Sequence, residues 1–262
     1  MRRLLAFTKK NFIEVKRSPI YFVFSLIFPI LFILLLTIMD KATEDTATGT
    51  FINFMKYPSL VPGTMMISCC LPMYFMAAIV SNDRKSALLK RQYISPMRTP
   101  EFILGYAIVG FVLGIALLFI CYFGGWMIAA CFHDDYIPID RGMLTIVSQI
   151  PLLLTLIFFG LLLGCLLNSG APGTCAIILC FAAILGGSVW GLDGSSEGIQ
   201  IFTRCLPFYP SVYIGRVASL AHKTYTNDPY VWDSVCNIGL ATILSYLVIN
   251  ITLANVLFFI QS

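Results

Sequence analysis

The sequence predicts an all-α integral membrane fold: six transmembrane helices, an N-terminal interfacial amphipathic helix ahead of them, and a re-entrant or interfacial segment before the last. Three observations lead there. Of 262 residues, 58% are hydrophobic and only 11% charged, too few polar side chains for a soluble domain of this length to cover its surface. Six apolar runs each reach the roughly 20 residues a helix needs to cross a hydrocarbon core of about 30 Å. Basic residues gather in the first 17 positions and in the connection at 81–101. The predicted organisation is a cytoplasmic interfacial helix at 1–19, then one six-helix transmembrane domain at 20–262 with a cytoplasmic loop at 81–101 and an outer segment at 193–235.

On a helical wheel, Leu4, Leu5, Phe12 and Val15 fall within about 100°, and the six basic residues Arg2, Arg3, Lys9, Lys10, Lys16 and Arg17 occupy an arc of about 140° beside them. That pattern predicts a helix lying on the cytoplasmic leaflet, apolar face down. A basic topogenic flank with accidental periodicity is the alternative. Arg17-Ser18-Pro19 breaks the helix before the chain enters the bilayer. The segment does not read as a cleaved signal peptide, because the apolar run after it is long enough to span and no A-x-A site follows.

The predicted spans are Ile20 to Met39, Leu60 to Val80, Phe102 to Ala130, Met143 to Leu167, Thr174 to Leu192 and Cys236 to Ile260. Six spans put both termini on one side. With that side inside, eleven Lys and Arg lie inside and six outside, against three acidic residues inside and ten outside. The positive-inside rule therefore puts both termini in the cytoplasm of a cell-membrane protein. Ile199 to Ala221 is apolar but carries Arg204, Arg216, Pro207 and Pro210. Each Arg near mid-membrane would cost about 2.5–3.5 kcal/mol, so this piece is read as re-entrant or interfacial at the outer leaflet.

Within the spans, Gly110-x-x-x-Gly114 and Gly160-x-x-x-Gly164 permit close helix contact, read as internal packing rather than a dimer seam. Pro29, Pro72 and Pro151 each remove a backbone donor and predict kinks. Full charges are absent from the predicted spans, which argues against a proton relay. Cys69, Cys70, Cys121, Cys165, Cys175 and Cys180 fall in apolar runs and read as small core residues, whereas Cys131, Cys205 and Cys236 lie near one face where a bridge is conceivable.

Catalytic and metal chemistry find no foothold. No G-x-x-x-x-G-K-[ST] loop occurs, so the chain has no nucleotide cradle of that kind. His133 and His222 fall in outer connections without ligand spacing, and the His133-Asp134-Asp135 run reads as a solvated loop. No metal site, resident cofactor or catalytic residue is predicted, and the small net charge of +4 points to no nucleic-acid partner.

What remains is the basic loop. Asn82 to Pro96 carries Arg84, Lys85, Lys90 and Arg91, Arg98 follows, and Thr99-Pro100-Glu101 then makes a capped helix start. In an otherwise apolar chain this is where a water-soluble partner would grip. The bland reading is that these charges only enforce topology.

Asp83-Arg84-x-x-Ala87-x-Leu89, Ile94-Ser95-Pro96 and Glu101-x-x-Leu104-Gly105 together resemble the E-R-E-x-G-T-L-E-x-L-x-x-S-P…E-x-x-x-G stretch of type-2 membrane permeases of ATP-binding-cassette exporters. Val61-Pro62-Gly63 resembles that family's V-P-G lead into the second span, Lys16-Arg17-Ser18-Pro19 its lead into the first, and Leu206-Pro207 through Arg216 its proline-then-arginine segment before the last. Three positions depart: Asp83 stands for Glu, Lys85 for a second Glu and Ala87 for Gly.

The resemblance implies a permease that pairs with a second copy or a sister permease, each resting on a cytoplasmic ATPase that binds ATP and Mg. The chain itself would be no enzyme. Asp83 to Pro96 would form a coupling helix capped by Ser81, Asn82 or Asp83 and stopped by Pro96, with Asp83, Arg84, Lys85, Leu88, Leu89, Arg91, Tyr93, Ser95, Pro96 and Glu101 as coupling residues. The resemblance also puts the second and fifth spans around a central pathway. Met66, Met73 and Phe75, with Phe181, Trp190 and Phe208 toward its outer end, are the candidate pathway residues. They suit an amphipathic, lipid-like or drug-like substrate moved outward, although aromatics there also serve as an interface belt in contact with membrane lipid. An ATPase-independent carrier and a membrane scaffold that docks a cytoplasmic enzyme are the other classes.

Overall fold

The computed structural model describes residues 2–17, 27, 29–35, 37–38, 57–85, 99–132, 137–167, 171–187, 192, 196–222 and 228–261. Among them the chain is helical, with one isolated antiparallel bridge between His222 and Pro229. The helices are α1 (Arg2–Arg17), α2 (Tyr57–Lys85), α3 (Thr99–Phe132), α4 (Ile139–Leu166), α5 (Ala171–Leu185), α6 (Glu197–Arg204), α7 (Phe208–Ala218) and α8 (Ser234–Gln261).

Four of these, α2, α3, α4 and α8, are long and apolar enough to cross a membrane. Half of the predicted first span lies outside the described residues; 29–35 is helical and buries Ile33. The predicted fifth span is shorter than expected. Its helix ends at Leu185, because Gly186-Gly187 follows and Gly187 takes the left-handed conformation (φ 63°) that ends helices. Its 15 residues measure about 22 Å, less than the apolar thickness of a bilayer. Ile199 to Ala221 forms no span: it is two short helices, α6 of 8 residues and α7 of 11.

The core is built around α2, which packs against α3, α4, α5 and α7. Its middle is Met, Cys, Ser and Ala, and the hydroxyls are satisfied along the helix: Thr64 Oγ1 donates to the Val61 carbonyl (2.8 Å) and Ser68 Oγ to the Thr64 carbonyl (2.9 Å). The closest approach is to α4. A Cβ at Gly160 would meet the Met73 carbonyl, and one at Gly164 would meet Val80 Cβ at 2.8 Å. Gly110 and Gly114 face Ile157 and Leu153 of α4. Both small-residue pairs therefore serve internal packing.

The last helix behaves differently. Only one stripe of α8, carrying Cys236, Gly239, Ile243, Asn250, Ala254 and Phe258, is buried, and it meets α3, α4 and α7. Polar seams fix its register on α4: Thr155 Oγ1 reaches the Ile243 carbonyl and Asn250 Nδ2 the Thr155 carbonyl, each at 3.3 Å. The other faces are apolar and exposed, as a lipid-facing helix requires.

Candidate functional site

The end of the bundle where α2 stops and α3 starts, here the near end, carries the predicted coupling residues. The coupling helix was expected to begin at a cap on Ser81, Asn82 or Asp83. Instead α2 runs unbroken through all three to Lys85, because Asp83 is held from the side. It is 3% exposed, and Lys10 Nζ of α1 donates to both its carboxylate oxygens at 2.9 Å. The Tyr106 hydroxyl of α3 donates to Oδ2 at 2.6 Å. A carboxylate with three such hydrogen bonds is well compensated for its burial. Lys10 also pairs with Glu14 one turn on, at 3.1 Å.

Arg84, expected to face a partner, turns into the bundle and donates to the Gly164 and Cys165 carbonyls at the end of α4. A cation there also meets the negative end of the α4 dipole. Lys85 is exposed, and Glu101 lies half-buried in the first turn of α3, which starts at Thr99 as the sequence predicts. Leu88, Leu89, Arg91, Tyr93, Ser95 and Pro96 lie outside the described residues.

One face of α1 is buried against the protein, and the wheel's apolar face is only partly on it. Phe7, Asn11 and Val15 are buried, whereas Leu5 and Phe12 are exposed together with Lys9 and Lys16. The reason is a protein surface in the way: Phe7 stands edge-on to Phe102 at 5.3 Å and to Tyr106 at 5.0 Å. The helix therefore docks on α3, and its outward face mixes Leu5 and Phe12 with lysines, as suits a membrane surface. The Asn11 amide is buried without a hydrogen-bond partner among the described residues. Tyr106 also lies 6.5 Å from Phe258 of α8, so the first and last helices reach the same end.

At the far end, Arg216 of α7 is 1% exposed. Its Nε donates to the Ser59 carbonyl (3.2 Å), one terminal nitrogen to the Gly187 carbonyl (2.7 Å) and the other to the Tyr230 hydroxyl (3.5 Å), while the guanidinium lies 5.7 Å from the Tyr230 ring centre. Ser219 Oγ donates to the Pro58 carbonyl at 2.8 Å. Deeper, Gln149 of α4 and Ser211 of α7 exchange hydrogen bonds at 3.0 and 2.7 Å. The Tyr213 hydroxyl donates to Asp233 at 3.0 Å; burial first, and then that bond, raise the phenol above its ordinary range.

Of the candidate pathway residues, Met66, Met73 and Phe75 share one cluster, and Phe208 packs against it beside Met66 at Gly186. Met66 and Met73 are 0% exposed and Phe75 is buried, all in the core around α2. Phe181 is 59% exposed on α5, Phe208 is half-buried, and Trp190 lies outside the described residues. All nine cysteines are free, with Cys236 buried and Cys131 and Cys205 exposed. Lys10 and Tyr106 were missed as partners of Asp83. Only the i,i+4 spacing of Lys10 and Glu14 hinted that this lysine is not merely topogenic.

The family model described as "ABC-2 family transporter protein" matches residues 46–260, which takes in every helix from α2 to α8 and leaves α1 outside. A comparison with curated proteins gives no match. With four helices able to cross a bilayer and this match over most of its length, the chain is a multi-pass membrane permease of the ABC transporter class, and it belongs to the ABC-2 transporter family.

Proposed function

We propose that the chain is the permease subunit of an ATP-driven exporter, paired with a second copy or a sister permease and energised by a separate cytoplasmic ATPase that binds ATP and Mg. Both termini lie in the cytoplasm of the cell membrane, and the substrate moved outward is amphipathic, lipid-like or drug-like. The segment 86–98 docks the ATPase through Lys85, Leu88, Leu89, Arg91, Tyr93, Ser95 and Pro96. Asp83, Arg84 and Glu101 hold the helix ends on either side of it.

One observation carries this reading. The helices flanking that segment, α2 and α3, are joined to each other and to α1 through Lys10, Asp83 and Tyr106, and α2 then continues through the middle of the core. A force on the segment is thereby delivered to the helix that touches most of its neighbours. Rigid, packed elements transmit displacement because close-packed interiors do not absorb it.

The test is to tag the C-terminus at Ser262, extract the chain in mild detergent and identify co-purifying proteins by mass spectrometry. A stoichiometric nucleotide-binding ATPase is expected, lost on combined charge reversal by Lys85→Glu and Arg91→Glu while membrane insertion is retained. These positions are chosen because Arg84 reaches α4. Purification without an ATPase, or an ATPase retained by the double variant, overturns the docking assignment.

A further inference from the structure

The Leu206-Pro207 to Arg216 stretch has so far been given no task beyond avoiding the bilayer. We propose that Arg216 is the positioning residue that keeps the far mouth between α2 and α5 closed, with Met66, on which the end of α5 rests, as the first side chain uncovered on opening. The proposal deepens the permease reading, resting on α2 and α5 flanking the path.

Arg216 bonds to three parts of the chain that meet at the far end. Ser59 lies at the start of α2, Gly187 just past the end of α5, and Tyr230 in the segment leading to α8. The Gly187 carbonyl follows the C-terminus of α5, so it is an acceptor the helix itself leaves unused and one that attracts a cation. Two terminal nitrogens and Nε of one planar group can reach three such acceptors at once; a lysine ammonium cannot reproduce the fork. The Ser59 and Gly187 carbonyls and the Tyr230 hydroxyl are neutral acceptors, and each bond to the guanidinium is charge-assisted from the donor side.

The closure sits over a specific place. A Cβ at Gly186 would collide with Met66 Cε, so the end of α5 lies directly on this methionine. Met66 is 0% exposed. Beside it, Gly215 of α7 is so near α2 and α4 that a Cβ would stand 2.7 Å from both Pro62 Cβ and Gln149 Nε2. Arg216 is thus carried on a helix seated against α2, and it reaches across to α5.

The test uses the full chain in lipid nanodiscs, with Cys131, Cys180, Cys205 and Cys236 replaced by Ala and Met66→Cys added as the reporter. Maleimide labelling rates are read by peptide mass spectrometry at that position and at the native Cys165, which lies at the near end. With Arg216 present, both should label slowly. Arg216→Met should accelerate the Met66→Cys site by about tenfold or more, the consequence of losing even one charge-assisted bond, with Arg216→Lys intermediate and Cys165 unchanged. If Arg216→Met fails to yield folded protein, Arg216→Lys and Tyr230→Phe carry the same comparison. Unchanged labelling at the reporter overturns the proposal, and so does equal acceleration at Cys165, which would mean general loosening. Neither result depends on an ATPase, so this test can fail while the docking test succeeds, and the reverse.

Discussion

At the near end, α2 is held by a carboxylate it supplies itself: Asp83 takes a lysine from α1 and a phenol from α3. At the far end the Pro58 and Ser59 carbonyls accept from donors on α7, while the Ser59 hydroxyl reaches the His222 carbonyl at 3.4 Å and the Tyr57 hydroxyl the Tyr122 carbonyl at 3.1 Å. An ion pair with 3% exposure on one partner and 34% on the other is a firm attachment, since the charge on Asp83 has no water to fall back on. A bond between neutral groups, such as Ser219 to Pro58, contributes less and exchanges more readily, although those from the buried Arg216 are charge-assisted. An ion pair therefore holds one end of the helix, the fixed end, and hydrogen bonds hold the other, the releasable end.

The largest effect should come from breaking the fixed end. Asp83→Ala leaves Lys10 without its main partner and Tyr106 Oη without an acceptor in a buried site. A loss of about 2–3 kcal/mol is expected, below the usual cost for a fully buried pair because Lys10 is partly exposed. Thermal unfolding in detergent and hydrogen exchange across 2–17 would measure it, with the exchange increase concentrated in α1. The reversed pair, Lys10→Asp with Asp83→Lys, should recover part of the loss. No recovery would mean that Asp83 acts through Tyr106 alone.

A smaller effect of opposite sign tests whether the near end is optimised for strength. Asn11 sits between Phe7 and Val15 on the buried face of α1, and its amide has no partner among the described residues. Asn11→Leu keeps the branched outline, with two methyls in place of the desolvated polar atoms, so it should raise stability by about 1–2 kcal/mol where the larger side chain is accommodated. A fall in the thermal midpoint would show instead that the amide is engaged in the folded protein.

How much of this could be read in the sequence follows from what each feature depends on. The spans α2, α3, α4 and α8 were legible to within a few residues, because length and apolarity alone decide whether a helix can cross lipid. The non-spanning nature of 199–221 was legible for the same reason, through Arg204 and Arg216. The end of α5 was misjudged because Leu192 continues the apolar run, whereas the Gly186-Gly187 pair decides where the helix stops. The docking of α1 on α3 was not legible, because a wheel ranks hydrophobicity and cannot know that Phe102 and Tyr106 offer a surface for Phe7. The cap expected at Asp83 failed similarly: a carboxylate near a basic run reads as a helix start until a lysine 73 positions away is found holding it.

The smallest predicted effect probes the releasable end most cleanly. Pro62 has no N–H, so the Pro58 carbonyl four residues earlier lacks its ordinary helical donor; Ser219 Oγ fills that vacancy at 2.8 Å. Ser219→Ala should therefore cost about 1 kcal/mol, the usual net worth of one such bond. Pro62→Ala restores a backbone donor to Pro58, and in that background Ser219→Ala should cost close to nothing. The coupling between the two changes, read as a double-mutant cycle of thermal midpoints, measures how far the proline in α2 makes this end depend on α7. Full additivity would mean that Ser219 acts elsewhere, through its second bond to the Arg216 carbonyl at 3.1 Å, and that the far end is held by the guanidinium without help from the serine.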